Sequence, residues 1–147
     1  MRYLEDFEPD VMLTLGTATL TQEEIVAFAE RWDPQPIHID PEEASKSSFG
    51  GLIASGWHTG SLFMSMFARV VLNSSASLGS PGLESIRWLV PVRPGDTLTA
   101  RYQVLEVTPS IQNPHRGTVR GQGELINQDG RVVLTLLARN LFLRRPA

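Results

Sequence analysis

The sequence predicts an α+β fold in which an antiparallel sheet of about five strands wraps around one long central helix. Three observations carry this expectation. The uncharged run from Ser55 to Ala68 is apolar around the whole helical circumference, the pattern of a helix enclosed by a core. Four long β-like segments follow it: Leu83–Val90, Thr97–Val107, Gly117–Asn127 and Arg131–Leu143. Ahead of it, Met12–Leu20 alternates apolar residues with threonines, as a half-buried strand does.

The remaining elements follow in chain order. Thr21 with Glu24 three residues later makes a capping box, so a short helix is expected from Gln22 to about Trp32. Asp33-Pro34-Gln35-Pro36-Ile37-His38-Ile39-Asp40-Pro41 holds three prolines in nine residues and reads as a stiff loop. Asp40 and Pro41 then supply an N-cap and first helical position for a short helix through Ala44. Asn73 to Gly82, rich in serine and glycine, reads as a mobile loop. Arg93-Pro94-Gly95-Asp96 and Asn127-Gln128-Asp129-Gly130 read as turns joining consecutive antiparallel strands.

Bulk properties bound the function. With 147 residues, 41% hydrophobic and 20% charged, the chain is expected to form one globular domain spanning residues 1–147. Cysteine is absent, which excludes disulfides, thiolate metal sites and a cysteine nucleophile. No apolar run reaches signal-peptide or membrane-span length, so a cytoplasmic protein is expected, with no membrane partner. A net charge of −3 argues against nucleic acid as a partner. All thirteen basic residues except Lys46 are arginines, whose planar forks suit phosphate groups on a small molecule.

Asp33 and His38, separated by four residues of a proline-stiffened loop, are a ready means of gripping one water molecule and moving its proton. The same spacing also suits a capped turn with a packed imidazole. Ser55-Gly56-Trp57-His58 opens the central helix, where free N–H groups and the dipole favour a negative oxygen. Gly56 lets a ligand approach the backbone, or else lets helix pack closely on sheet. His58 falls in a buried segment, where a structural histidine is the ordinary case, and His115 in an exposed polar loop. His38 with Asp40 is too weak a pair for a metal site, and none is expected. No phosphate loop is present. The serine nucleophile elbow is absent too, since Ser55 lacks the glycine two positions before it.

The run Phe28-Ala29-Glu30-Arg31-Trp32-Asp33-Pro34-Gln35-Pro36-Ile37-His38-Ile39-Asp40 closely resembles the hydratase motif of MaoC-like proteins, which include R-specific enoyl-CoA hydratases. Phe49–Gly56 and Ile86–Leu98 agree with it in order and spacing. The resemblance implies a hotdog fold and a homodimer or higher homo-oligomer. It also implies a hydro-lyase that interconverts an enoyl thioester and a 3-hydroxyacyl thioester of CoA or acyl carrier protein, without a cofactor. Carried over residue by residue, it makes Asp33 the principal base, His38 its partner, and Gly56 the amide donor to the thioester oxygen. Ser55 stands beside Gly56 as a substrate-binding residue where family hydratases often have histidine, which leaves the acyl chain open. A hotdog thioesterase and a non-catalytic thioester binder are the alternatives.

Overall fold

In a computed structural model describing residues 1–147, the chain builds one five-stranded sheet around a central helix, the hotdog arrangement that the resemblance implies. The elements are β1 (Met12–Thr19), α1 (Gln22–Trp32), α2 (Pro36–Ile39), α3 (Pro41–Lys46), α4 (Gly56–Phe67), β2 (Ser77–Trp88), β3 (Thr97–Pro109), β4 (Arg116–Ile126) and β5 (Val132–Leu143). All neighbours pair antiparallel, in the order β1-β3-β4-β5-β2.

Local signals set the helix starts. The Thr21 side chain accepts from the Glu24 N–H while Glu24 reaches back to the Thr21 N–H. Asp40 accepts from the N–H groups of Glu42 and Glu43. Both caps satisfy amides that a helix leaves without partners. The helix α4 begins one residue past Ser55 and continues beyond Phe67 as a single π-helical turn through Leu72. Phe63 and Phe67 point into the concave face of the sheet and are 2% and 3% exposed. Each buried ring of this kind contributes about 1.5–3 kcal/mol.

Three expectations need correction. The segment from Ser77 to Gly82 is not a loop but the first half of β2, laddered to Phe142, Leu141 and Arg139 of β5. Its glycines serve bulges: Gly79 at φ +92 and register shifts on either side let the strand bend without losing its partner. The turn Arg93–Asp96 has the chemistry of a turn, with Gly95 at φ +87 and the Arg93 N–H on the Asp96 carboxylate, but it does not close a hairpin. It carries the chain from β2 at one edge to β3 inside the sheet, pinned by Gly95 N–H to Leu20 O and Leu20 N–H to Asp96 O. The turn Asn127–Gly130 does close a hairpin, between β4 and β5. Finally, α4 is not enclosed on all sides: Trp57 is 62% and Met64 47% exposed.

Glycines in β4 make room for buried rings of α4 and β3. A Cβ on Gly123 would lie 2.2 Å from Phe63 Cζ, and one on Gly121 would lie 2.1 Å from the Tyr102 hydroxyl. Neither partner is a free side-chain end, because both rings are buried. Gly123→Ala is therefore expected to destabilise the fold by about 1–3 kcal/mol or more. Thermal unfolding checks this, and an unchanged Tm would contradict the packing described.

Candidate active site

The proline-rich segment between α1 and α3 is stiff, as expected, but it is not wholly a loop. Pro36, with its φ already set for a helix, starts the one-turn α2, which carries His38. Asp33 ends α1, its N–H bonded to Ala29 O. The turn folds His38 back toward Asp33, so that His38 Nε2 lies 3.3 Å from Asp33 Oδ2. His38 Nδ1 lies 2.7 Å from the carbonyl oxygen of Ile53. A carbonyl only accepts, so Nδ1 carries the proton and Nε2 is the atom presented to the carboxylate. Two lone pairs would repel at that separation, so the contact is favourable when a proton sits on Nε2 or is shared between the two groups.

Asp33 is held from its other sides as well. Gln35 Nε2 donates to Oδ1 at 2.7 Å and Ser55 Oγ donates to Oδ2 at 2.7 Å. These donors, with the charge of His38, outweigh burial and hold the carboxyl below its ordinary range. The segment leading to α4 is tied to both neighbours, with Ile53 N–H on Ile37 O and Ala54 N–H on Val92 O. Gly56 is the first residue of α4, and its N–H has no acceptor within the chain. Asp33, His38 and Gly56 all line one cleft of about 470 Å³, walled by Phe49, Trp57 and Trp88. A carboxylate, an imidazole and a residue with a free helix-terminal amide thus line a common space large enough for a small ligand.

The sequence matches the family described as MaoC like domain over residues 7–123. The chain belongs to the MaoC-like family. It is similar to a MaoC-like dehydratase from Rhodospirillum rubrum, at 38% identity and a TM-score of 0.92 over the full length of both chains. It is 34% identical over 104 residues to 3-hydroxyacyl-thioester dehydratase Z of Mycobacterium tuberculosis, a stretch covering 69% of this chain and 66% of that protein. It is 26% identical to the 3-hydroxybutyryl-CoA dehydratase of Methylorubrum extorquens, covering 90% of this chain and 82% of the relative.

Within this MaoC-like site, Ser55 is not where the sequence reading set it. Its side chain is fully buried and does not line the cleft; its proton goes to Asp33 and its oxygen accepts from Trp57 N–H, so in this structure it supports the carboxylate. Two residues escaped the sequence reading. Gln35 is the second donor to Asp33, and its place between the two prolines is the signal that could have marked it. Trp88, thirty-two residues from Gly56, donates its Nε1–H to Gly56 O at 2.8 Å and meets Trp57 edge-on. No local pattern announces that contact.

His58 does not join the pair. It stacks on Phe28 with ring centroids 4.5 Å apart, its Nδ1 is buried without a partner, and burial pulls its pKa down. His115 is exposed. No group of three or more metal-ligating side chains is present. Among the arginines, Arg93 braces the rim through Phe49 O. Arg87 is exposed on β2. Arg116 is exposed at the start of β4.

The support for Asp33 has a pH signature. A carboxylate with a lowered pKa stays ionised down to lower pH, so removing a donor moves its titration upward. Ser55→Ala is expected to shift the acid limb of the kcat/KM profile to higher pH, and Ser55→Ala with Gln35→Ala to shift it further. Identical acid limbs in all three proteins would contradict the role given to these donors.

Proposed function

We propose that this protein adds water across the double bond of an enoyl thioester, most simply an acyl-CoA, and removes it from the corresponding 3-hydroxyacyl thioester. The observation that carries this reading is the Asp33–His38 contact in the same cleft as the unpartnered Gly56 amide. In the hydration direction Asp33 takes a proton from a water that it and His38 both reach from the cleft, and the water oxygen bonds to Cβ. The π electrons move to Cα and the carbonyl, so negative charge collects on the thioester oxygen. The Gly56 N–H and the positive end of α4 offset that charge, a contribution of about 3–4 kcal/mol for one well-placed donor. The proton held by the pair then returns to Cα and the carbonyl reforms. Dehydration runs the same steps backward. The names of the mycobacterial and Methylorubrum relatives agree with this class of reaction.

A homodimer fits the same reading. The β2 edge is exposed along most of its length and carries Leu78, Leu83 and Trp88 at its surface, an edge open to pairing with a second copy. No helix is long and apolar enough to cross a membrane. The test of function is incubation of the purified protein with enoyl-CoA esters of varied length and branching, following loss of the conjugated double bond and the configuration of the product. Hydration of at least one ester supports the reading. Release of free CoA with the double bond intact points to a thioesterase, and inactivity throughout overturns the hydro-lyase.

A further inference from the structure

A second space of about 270 Å³ lies between α4 and the strands β2, β3 and β5. Its walls hold Phe63, Ile86 and Leu136 and carry no Lys, Arg, His, Asp or Glu. Most of the polar atoms on its wall residues are occupied or sealed. Ser61 donates to Trp57 O, and Ser80 to backbone oxygens of Gly82 and Arg139. The Tyr102 hydroxyl and the Asn140 Oδ1 are closed off from solvent, the hydroxyl lying over Gly121, which is not a wall residue. What the space offers is apolar surface, suited to a hydrocarbon chain.

The boundary between this space and the cleft holding Asp33 falls at one level on both elements that form it. On β2, Trp88 lines the cleft, while Ile86, two residues back on the same face of the strand, lines the second space. On α4, Gly56 and Thr59 line the cleft, Gly60 and Phe63 line the second space, and Trp57 lines both. The rings of Trp57 and Trp88 meet edge-on across this boundary, with centroids 5.6 Å apart and planes at 75°. One turn further along, helix and strand come close, since a Cβ on Gly60 would lie 3.7 Å from Ile86 Cδ1. Trp88 is fixed by its strand and by its bond to Gly56 O, and Trp57 leans on it. The two indoles thus form a partition from helix to strand, with the reacting groups on one side and an apolar space on the other.

We propose that the Trp57 indole is the specificity-determining wall that ends the acyl site, so that the protein takes short acyl thioesters and the space behind the ring stays shut to longer tails. This rests on the hydro-lyase reading, which puts the thioester oxygen at Gly56 and Cβ at Asp33. A chain held there is one residue from Trp57 and meets that ring within a few carbons of Cβ. Taking the ring away joins the cleft to the apolar space, and each methylene that then enters it is worth about fourfold in affinity.

The test is calorimetric binding of saturated acyl-CoA esters from butyryl to decanoyl, which needs no turnover. In the parent the affinities are expected to agree within about fourfold, the worth of one methylene. In Trp57→Ala, octanoyl-CoA is expected to bind at least about tenfold more tightly than butyryl-CoA. Adding Met64→Trp to Trp57→Ala refills the space from a residue that lines it and not the cleft, and is expected to bring the ratio back toward the parent's. Trp57 and Met64 are 62% and 47% exposed, so both changes spare the core. Leu83→Trp, 50% exposed on β2, repeats the refilling from the opposite wall should Met64→Trp fold poorly. A steep rise of affinity with chain length in the parent, a flat profile in Trp57→Ala, a rise that survives both refilled variants, or no binding of any ester overturns the proposal. The expected pattern in a protein that hydrates no enoyl ester overturns the reaction instead and leaves the wall standing.

Discussion

Asp33→Asn lowers kcat/KM for enoyl-CoA hydration by roughly 10²–10⁴-fold, the range attributed to a positioned acid or base, and leaves Tm within a few degrees of the parent. The amide can still accept from Gln35 or Ser55, and its NH₂ can donate to His38 Nε2, which faces it at 3.3 Å in the parent. What it cannot do is take a proton from water. The expected loss therefore falls on turnover and not on folding. His38→Gln provides the companion measurement. It keeps a polar group near Asp33 but breaks the arrangement in which Ile53 O fixes one nitrogen and directs the other. Unimpaired hydration by Asp33→Asn would end the mechanism, whatever the variant's stability.

Much of this site is legible in the sequence. Asp33 and His38 converge because the prolines between them leave few backbone choices, and that constraint is local and visible in the sequence. The same holds for the caps at Thr21 and Asp40, where the residues that bond are three positions apart or fewer. The misreadings share the opposite property. Ser55 reaches Asp33 across twenty-two residues and Trp88 reaches Gly56 across thirty-two, so neither bond leaves a periodic trace. Ser77–Gly82 looks like a loop because serine and glycine have weak strand preference on their own, and pairing with β5 overrides that preference. The order of strands is decided by which edges pair, β2 with β5 and β3 with β1 and β4, which the turn residues between β2 and β3 do not encode.

Gly56→Ala is expected to cost roughly 10²–10³ in kcat/KM, comparable to loss of an oxyanion donor, although alanine keeps the N–H. An added Cβ would lie 2.5 Å from Trp88 Cε2 and 2.6 Å from its Nε1, so the indole must move and its bond to Gly56 O must break. Trp88 cannot yield through its backbone, which is laddered to Leu134, so the ring swings and the cleft wall goes with it. Overpacking of this kind also destabilises by about 1–3 kcal/mol, visible as a lower Tm. Packing and catalysis can be separated, because Trp88→Ala removes the obstacle. If glycine serves only to admit the indole, Gly56→Ala in the Trp88→Ala background changes nothing further. If a thioester must also approach the amide closely, the double variant stays well below Trp88→Ala alone in kcat/KM while matching its Tm. The second result is expected from an N–H that has no acceptor of its own, on a residue lining the cleft shared with Asp33 and His38. Equal activity in the two proteins would assign Gly56 to packing and remove the amide from the chemistry.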